Sequence, residues 1–232
     1  MALACARAGR AVDSVALVAI SKTVPLERLR LAQAAGHDRL GENRVQEAAD
    51  KVTLLGPAEW HLVGHLQRNK AARAVELFGV IESVDSVDLA RRLDRLVADR
   101  GARSGGRLPV YLQVNVDADP AKAGFRAAEL ERDLEALLDL PGLEVHGLMT
   151  VGWLTAGGPQ ARPTFVRLRE LFERLRAQDD RLGAGLSMGM SDDYEIAIEE
   201  GSTLVRVGRA LFGERSPASE VPARSGPVVG QP

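Results

Sequence analysis

The chain has 232 residues, of which 45% are hydrophobic and 27% charged, so it is long enough for one domain with a sizeable core. Its 30 Lys and Arg residues nearly balance 32 Asp and Glu residues, and the net charge of -2 argues against a nucleic-acid partner. A single cysteine, Cys5, excludes an internal disulfide and a cysteine-based metal cluster, and the lack of a long apolar run or a secretory signal predicts a cytoplasmic protein without membrane contact.

Eight apolar segments of strand length alternate along the chain with segments of helical periodicity. The first, residues 15–20, is continuously apolar, as expected of a parallel strand covered on both faces. The other predicted strands are residues 39–40, 60–63, 79–83, 109–116, 143–151, 185–187 and 203–207. Helices are predicted near 26–35 and 192–200, with further apolar stripes around Leu89, Leu130 and Phe165, and loops at 101–107 and 152–163.

This alternation predicts an α/β fold with a parallel sheet. Eight strands favour closure into a single (β/α)8 TIM barrel, and an open doubly wound sheet is the alternative. We expect the barrel to occupy residues 1–215. Residues 216–232 are rich in Pro, Gly and Ser without periodicity, which predicts a disordered tail.

Residues that are unusual for a packed core concentrate at the carboxyl ends of the predicted strands, where TIM barrels have their active sites. They are Lys22, Glu42, Asn43, His61, His65, Asn115, Met149, Thr150, Ser187, Met188, Ser191, Arg206 and Gly208. Packing alone does not explain so many polar groups on one rim. The pattern therefore predicts a binding or active site at this end of the barrel.

Lys22 closes the first predicted strand, directly after Ser21. A lysine at a strand end can simply extend its ammonium group into water. In the mouth of a barrel, a lysine can instead be kept as the neutral amine that Schiff-base formation requires. Both interpretations of Lys22 are open at this point.

Two glycine-containing loops, residues 187–193 and 206–213, follow the seventh and eighth predicted strands. Barrels frequently bind phosphate there, because glycine lets the backbone approach an anion and helix N-terminal amides donate hydrogen bonds to it. A plain turn is the alternative for either loop taken alone. Asp192 and Asp193 are predicted to cap the following helix rather than to contact a ligand.

His61 and His65 are four residues apart, but His61 lies in a predicted strand and His65 in a loop. Without an acidic or cysteine ligand close in sequence, this spacing does not indicate a metal site. His61 is interpreted either as a residue packed on a cofactor ring or as a hydrogen-bonded core histidine.

Taken together, these motifs resemble the pyridoxal phosphate homeostasis proteins, a family of stand-alone barrels similar to the N-terminal domain of alanine racemase. The resemblance runs from about residue 4 to residue 215. It is carried by residues 19–23 (AISKT), 41–47 (GENRVQE), 60–70 (WHLVGHLQRNK), 186–193 (LSMGMSDD), 206–208 (RVG) and 212–213 (FG).

The resemblance implies that pyridoxal 5'-phosphate (PLP) forms a Schiff base with Lys22. It implies that Ser191, the Gly208 amide and the neighbouring amide hold the phosphate, and that Arg206 faces the pyridine nitrogen. The implied cofactor-binding residues are Lys22, Asn43, His61, Met149, Ser187, Met188, Ser191, Arg206, Gly208 and Arg209. No metal ligand and no catalytic residue is assigned.

The chain departs from the family pattern at two places. Arg209 stands where Thr or Ser is expected, which removes a hydroxyl contact to phosphate but adds a cation. Residues 122–124 (KAG) lack the serine expected between Lys and Gly, so this loop receives no role. The chain also begins within what is normally the first helix.

The implied function is binding, buffering and hand-over of PLP without substantial turnover, with PLP-dependent apo-enzymes as partners and a monomer or weak dimer as the assembly. A cation at the ring nitrogen weakens the ring as an electron sink, which suits a carrier. The alternative is an amino-acid racemase. It needs a second base, for which neither Tyr111 nor Tyr194 is well placed, and we expect no second domain to supply one. A lysine-dependent aldolase ranks last, because its lysine more usually lies on a later strand.

Overall fold

The computed structural model describes residues 1–104, 106–152 and 158–213. Eight parallel strands close into a barrel in chain order, and the last strand pairs with the first. The strands are β1 (Ala16–Ile20), β2 (Arg39–Glu42), β3 (Glu59–Leu62), β4 (Val80–Val84), β5 (Leu108–Gln113), β6 (Leu143–Met149), β7 (Gly185–Ser187) and β8 (Leu204–Val207). The prediction of a (β/α)8 barrel is confirmed. The predicted tail, residues 216–232, lies outside the described residues.

Helices surround the barrel and connect its strands. They are α1 (Ala2–Arg7), α2 (Leu26–Ala34), α3 (Val45–Leu55), α4 (Ala71–Leu77), α5 (Val87–Ser104), α6 (Ala127–Leu138), α7 (Arg162–Gln178), α8 (Tyr194–Glu199) and α9 (Arg209–Phe212), with 3-10 turns at Val12–Ser14, Arg68–Lys70 and Gly158–Ala161. No described helix is long and apolar enough to cross a membrane.

Several predicted boundaries differ from the structure by a few residues, and those of α5 and β5 are two of them. Helix α5 continues through residues 101–104, where a loop is predicted, because its apolar face is anchored by the fully buried Leu89 and Leu93. Strand β5 ends at Gln113 rather than at residue 116. There the Asn115 amide donates hydrogen bonds to two backbone carbonyls of its own loop, at 2.7 and 3.0 Å, and this turns the chain out of the sheet.

The main core fills the layer between the outer face of the sheet and the helices. Strand leucines such as Leu62 and Leu148 pack there with helix residues such as Leu93 and Phe165, all of them fully buried. Burial of this continuous apolar surface is the chief source of stability in the fold. It also explains why β1 is a continuously apolar segment of the sequence.

Inside the barrel, two glycines make room for larger neighbours. A Cβ atom on Gly41 would lie 2.6 Å from Ile20 Cδ1, and one on Gly185 would lie 2.6 Å from Tyr111 Cε1. Tyr111 packs in the lumen with Val80 and Met149. Small residues on one strand thus accommodate large ones on the next, and the lumen is a packed core rather than a pore.

Candidate functional site

Lys22 lies at the carboxyl end of the barrel, in the loop between β1 and α2. The residue before it, Ser21, is fully buried and donates a hydrogen bond of 2.6 Å to Glu42 Oε1. Lys51 of α3 donates to the Ser21 carbonyl at 2.6 Å and to Glu42 Oε1 at 2.5 Å. A buried ion pair therefore fixes the backbone that carries Lys22. Sequence reasoning noted Glu42 but missed Lys51, whose approach depends on the orientation of α3.

The residue after Lys22 has an unusual backbone conformation. Thr23 has a φ of 63°, and its hydroxyl donates a 2.6 Å hydrogen bond to the Lys22 carbonyl. A β-branched residue in the left-handed region is a steric outlier, and such strain tends to occur at functional sites. The turn that presents Lys22 is therefore held in place by its surroundings at some energetic cost.

Lys22 lies on the wall shared by two cavities at the barrel mouth. The larger, of about 520 Å³, is also lined by Asn43 and Lys70. The smaller, of about 290 Å³, is also lined by Gly208 and Arg209. The structure therefore brings Lys22, Asn43, Gly208 and Arg209 to one mouth, as the order of the strand ends predicts.

Backbone amides converge on Ser191 beside the smaller cavity. The amides of Gly208 and Ala210 each donate to Ser191 Oγ at 3.3 Å. We call Ser191 and these two amides the anion cradle, because a hydroxyl and two backbone N–H donors grouped this closely are the kind of donors that bind a phosphate oxygen. The Arg209 guanidinium is ion-paired with Asp192 at the surface.

Asp193, predicted to cap the helix that follows it, makes a different hydrogen bond. Asp193 is the N-cap residue of α8, but its carboxylate makes no capping hydrogen bond to that helix. It accepts a 2.6 Å hydrogen bond from the Met190 amide instead, and so braces the loop that carries Ser191. Burial raises the pKa of Asp193.

A hydrogen-bonded group of charged side chains crosses the lumen below the mouth. Glu82 of β4, fully buried, accepts a 2.5 Å hydrogen bond from Ser187 of β7 and a 2.7 Å hydrogen bond from His61 Nδ1 of β3. Arg206 of β8 donates to the Ser187 hydroxyl, and its Nη2 donates to the Thr150 carbonyl at 2.7 Å. We call His61, Glu82, Ser187 and Arg206 the interior network.

The charge of His61 follows from its two acidic neighbours. Burial disfavours the imidazolium, but hydrogen bonds to Glu59 at 3.3 Å and to Glu82 outweigh this and raise the pKa of His61 to about 9. His61 is 2% exposed and, like Arg206, lines neither of the two cavities that Lys22 lines. The structure supports the interpretation of His61 as a hydrogen-bonded core residue.

The two predicted methionines are fully buried in different places. Met149 packs in the lumen with Val80 and Tyr111, whereas Met188 belongs to the main core outside the sheet. The structure therefore does not bring Met188 together with the mouth residues. Among the described residues, no group of three or more His, Cys, Asp or Glu side chains is arranged to hold a metal ion.

Neither tyrosine is among the residues that line the two cavities beside Lys22. Tyr111 is buried in the lumen, where burial and the charge of Glu82 raise its pKa to about 12. Tyr194 packs against the cluster that contains α1 residues, and its hydroxyl contacts Glu195. Neither phenol lines a wall of the two cavities.

Comparison with known proteins identifies the family to which the chain belongs. The sequence model of the alanine racemase N-terminal domain matches residues 5–216. The chain is 39% identical over 214 residues to the pyridoxal phosphate homeostasis protein of Aquifex aeolicus, with 91% of this chain and 92% of that protein covered. It is 42% identical over 219 residues to the protein of the same name from Pseudomonas aeruginosa, with 91% of each covered.

Comparison with solved structures identifies proteins of the same fold. PipY of Synechococcus elongatus PCC7942, with PLP bound, superposes with a TM-score of 0.80 and 41% identity over 91% of this chain and 98% of that one. Alanine racemase of Clostridium difficile 630 superposes with a TM-score of 0.70 and 14% identity, over 94% of this chain and 55% of the racemase. The racemase likeness concerns the fold alone.

Proposed function

The chain belongs to the pyridoxal phosphate homeostasis family, and from that premise we propose that it binds PLP as a Schiff base on Lys22 and serves as a PLP carrier. One observation carries the proposal: Lys22 lies on the wall shared by two cavities, and the smaller is bordered by Gly208 of the anion cradle. The bound PLP of the 41% identical PipY supports the same ligand.

The residues present fit PLP in charge and in hydrogen-bonding capacity. When bound, PLP supplies an aldehyde that condenses with an amine and a ring that withdraws electrons. Ser191 and the amides of Gly208 and Ala210 would hold its phosphate with two amide donors and one hydroxyl. Asn43 would line the larger cavity, and the Glu42–Lys51 pair would keep the Lys22 backbone in place.

Arg206 is proposed to face the ring nitrogen. It lies two residues before Gly208 on β8 and contacts the carbonyl of Thr150, the residue that follows β6, so it belongs to the carboxyl end of the barrel. A guanidinium at that position disfavours a proton on the ring nitrogen. With weaker electron withdrawal, carbanion chemistry is disfavoured and simple carriage of the cofactor is favoured.

The positions of the tyrosines support a carrier over a racemase. Racemisation requires a base on each face of the substrate carbon. Tyr111 has a pKa of about 12 in a closed lumen, and Tyr194 lies at the start of α8. We propose PLP-dependent apo-enzymes as recipients, a cytoplasmic location, and a monomer or weak dimer as the assembly.

The test is spectroscopic and chemical. The purified protein with PLP is expected to show the visible absorbance band of a Schiff base, and borohydride reduction followed by peptide mapping is expected to label Lys22. The chain has four lysines, Lys22, Lys51, Lys70 and Lys122, so the assignment is unambiguous. Lys22→Ala should lose the band. A full band in that variant, or a label on Lys70, would contradict the proposal.

A further inference from the structure

Glu82 is a fully buried carboxylate with two cationic neighbours. His61 donates to its Oε1 at 2.7 Å, and Arg206 Nη1 lies 3.8 Å from its Oε2. Side-chain exposure is 2% for His61 and 4% for Arg206, so water screens neither pair. A buried guanidinium without a partner is costly, and burial alone lowers the pKa of Arg206. The negative charge of Glu82, and after it that of Asp193, offsets this cost.

The direction of each hydrogen bond follows from the charge of Glu82. An ionised carboxylate can only accept, so the Ser187 hydroxyl must donate its proton to Glu82 Oε2 across 2.5 Å. The lone pairs of Ser187 then accept from Arg206 Nη1, while the Thr150 carbonyl accepts from Nη2. Two N–H groups of one planar guanidinium are thereby fixed, which fixes the plane itself.

These contacts join strands that are not neighbours in the sheet. Glu82 lies on β4 and Ser187 on β7, so their hydrogen bond spans the lumen and does not depend on adjacent pairing. The orientation of Arg206 therefore depends on a residue from the opposite wall. A hydrophobic residue at position 82 would pack in the lumen without supplying this interaction.

We propose that Glu82 is a positioning residue of the cofactor site: acting through Ser187, it holds the Arg206 guanidinium in the orientation that meets the ring nitrogen of PLP. The proposal rests on the PLP-binding function proposed above. Glu82 touches Ser187 and His61 and acts on the ligand only through Arg206.

A double-mutant cycle tests this dependence. The dissociation constant for PLP is measured by absorbance titration of the full-length apo-protein in the wild type, Glu82→Gln, Arg206→Gln and the double variant. Glu82→Gln is expected to weaken binding about tenfold in the wild-type background, which corresponds to about 1.4 kcal/mol of binding free energy. In the Arg206→Gln background it should change the constant by less than about twofold, because the residue through which it acts is gone.

Two further measurements separate positioning from stability. The nitrogen-15 chemical shift of the ring nitrogen in labelled PLP reports hydrogen bonding at that atom, and it should move in Glu82→Gln. Glu200→Gln is the matched control, since Glu200 is 8% exposed and pairs with Arg162 and Arg169 outside the lumen. It should lower the melting temperature without changing the PLP dissociation constant or the nitrogen shift.

If Glu82→Gln does not fold, Ser187→Ala provides the same test, because it cuts the link to Arg206 and leaves every charge in place. Equal effects of Glu82→Gln in both backgrounds, or an unchanged nitrogen shift in the folded variant, would overturn the inference. So would an Arg206→Gln variant that binds PLP normally while Lys22→Ala loses the band, and this result would leave the proposed function standing. If borohydride reduction instead labels a lysine other than Lys22, the proposed function itself is contradicted.

Discussion

At the scale of single residues, Ser191 is the point on which the anion cradle converges. Ser191→Ala should weaken PLP retention by about 1–3 kcal/mol, the usual contribution of a hydrogen bond to a charged group. The measurement is a PLP titration of the apo-protein, with inorganic phosphate added as a competitor. Ser14→Ala, at an exposed serine bonded to the Ala11 carbonyl, is the control. Equal retention in both variants would show that the phosphate is held elsewhere.

His61 makes stability depend on pH in a predictable direction. Its pKa is raised from 6.5 to about 9 in the folded protein. The stabilisation from its charged form is therefore fully present below about pH 6.5 and is lost as the pH rises through about 9. The wild type should accordingly be more stable than His61→Gln by an amount that declines between these values. Urea unfolding of both proteins from pH 6 to 10 measures this, and a constant difference would contradict it.

The site residues that sequence could predict are those fixed by the rules of the barrel. Lys22, Ser191 and Gly208 follow strand ends, and strand ends in a closed parallel barrel meet at one mouth. From the sequence alone, Glu82 is recognisable only as a carboxylate within a predicted strand that is otherwise largely apolar. Its role depends on which strand faces β4 across the lumen, and neither spacing nor periodicity contains that information.

At the scale of elements, the small residues of the lumen set how closely the strands and their side chains fit. Gly185→Ala would place a Cβ atom 2.6 Å from Tyr111 Cε1 and 2.7 Å from the His146 carbonyl. We expect it to lower the free energy of unfolding by about 1–3 kcal/mol, as overpacking commonly does. Gly79→Ala is the control, since its nearest contact would be the Trp60 carbonyl at 3.9 Å. Similar urea midpoints for the two variants would contradict this account of the lumen.

The existence and order of the strands could be predicted because short segments rich in apolar residues alternate with segments of helical periodicity. Their ends could not. Strand β5 stops where the Asn115 side chain donates hydrogen bonds to loop carbonyls, and helix α5, in which Leu89 and Leu93 are fully buried, runs past Gly101. The Asn115 hydrogen bonds lie within one loop and the packing of α5 is a tertiary contact, and the propensities of the residues for helix or strand contain neither.

At the scale of the whole molecule, the two tyrosines lie away from the cavities that Lys22 lines. We therefore expect the PLP-loaded protein to racemise or transaminate L-alanine far more slowly than about one turnover per second, a rate at the low end for ordinary enzymes. Loss of one base accounts for a factor of about 100–10,000. Optical rotation and keto-acid formation are the measurements. Turnover at or above that rate would favour the racemase alternative.

The pairing of β1 with β8 also has a consequence for the newly made chain. Lys22 follows the first strand and the Gly208 amide follows the last, on either side of the line where the barrel closes. During synthesis the lysine leaves the ribosome early, whereas the cradle is incomplete until Ala210 has been added. An unfinished polypeptide would carry the reactive amine without the means to retain PLP. Only finished molecules would therefore retain PLP, and truncated ones would not. The bound PLP would then connect the residue that follows the first strand with those that follow the last.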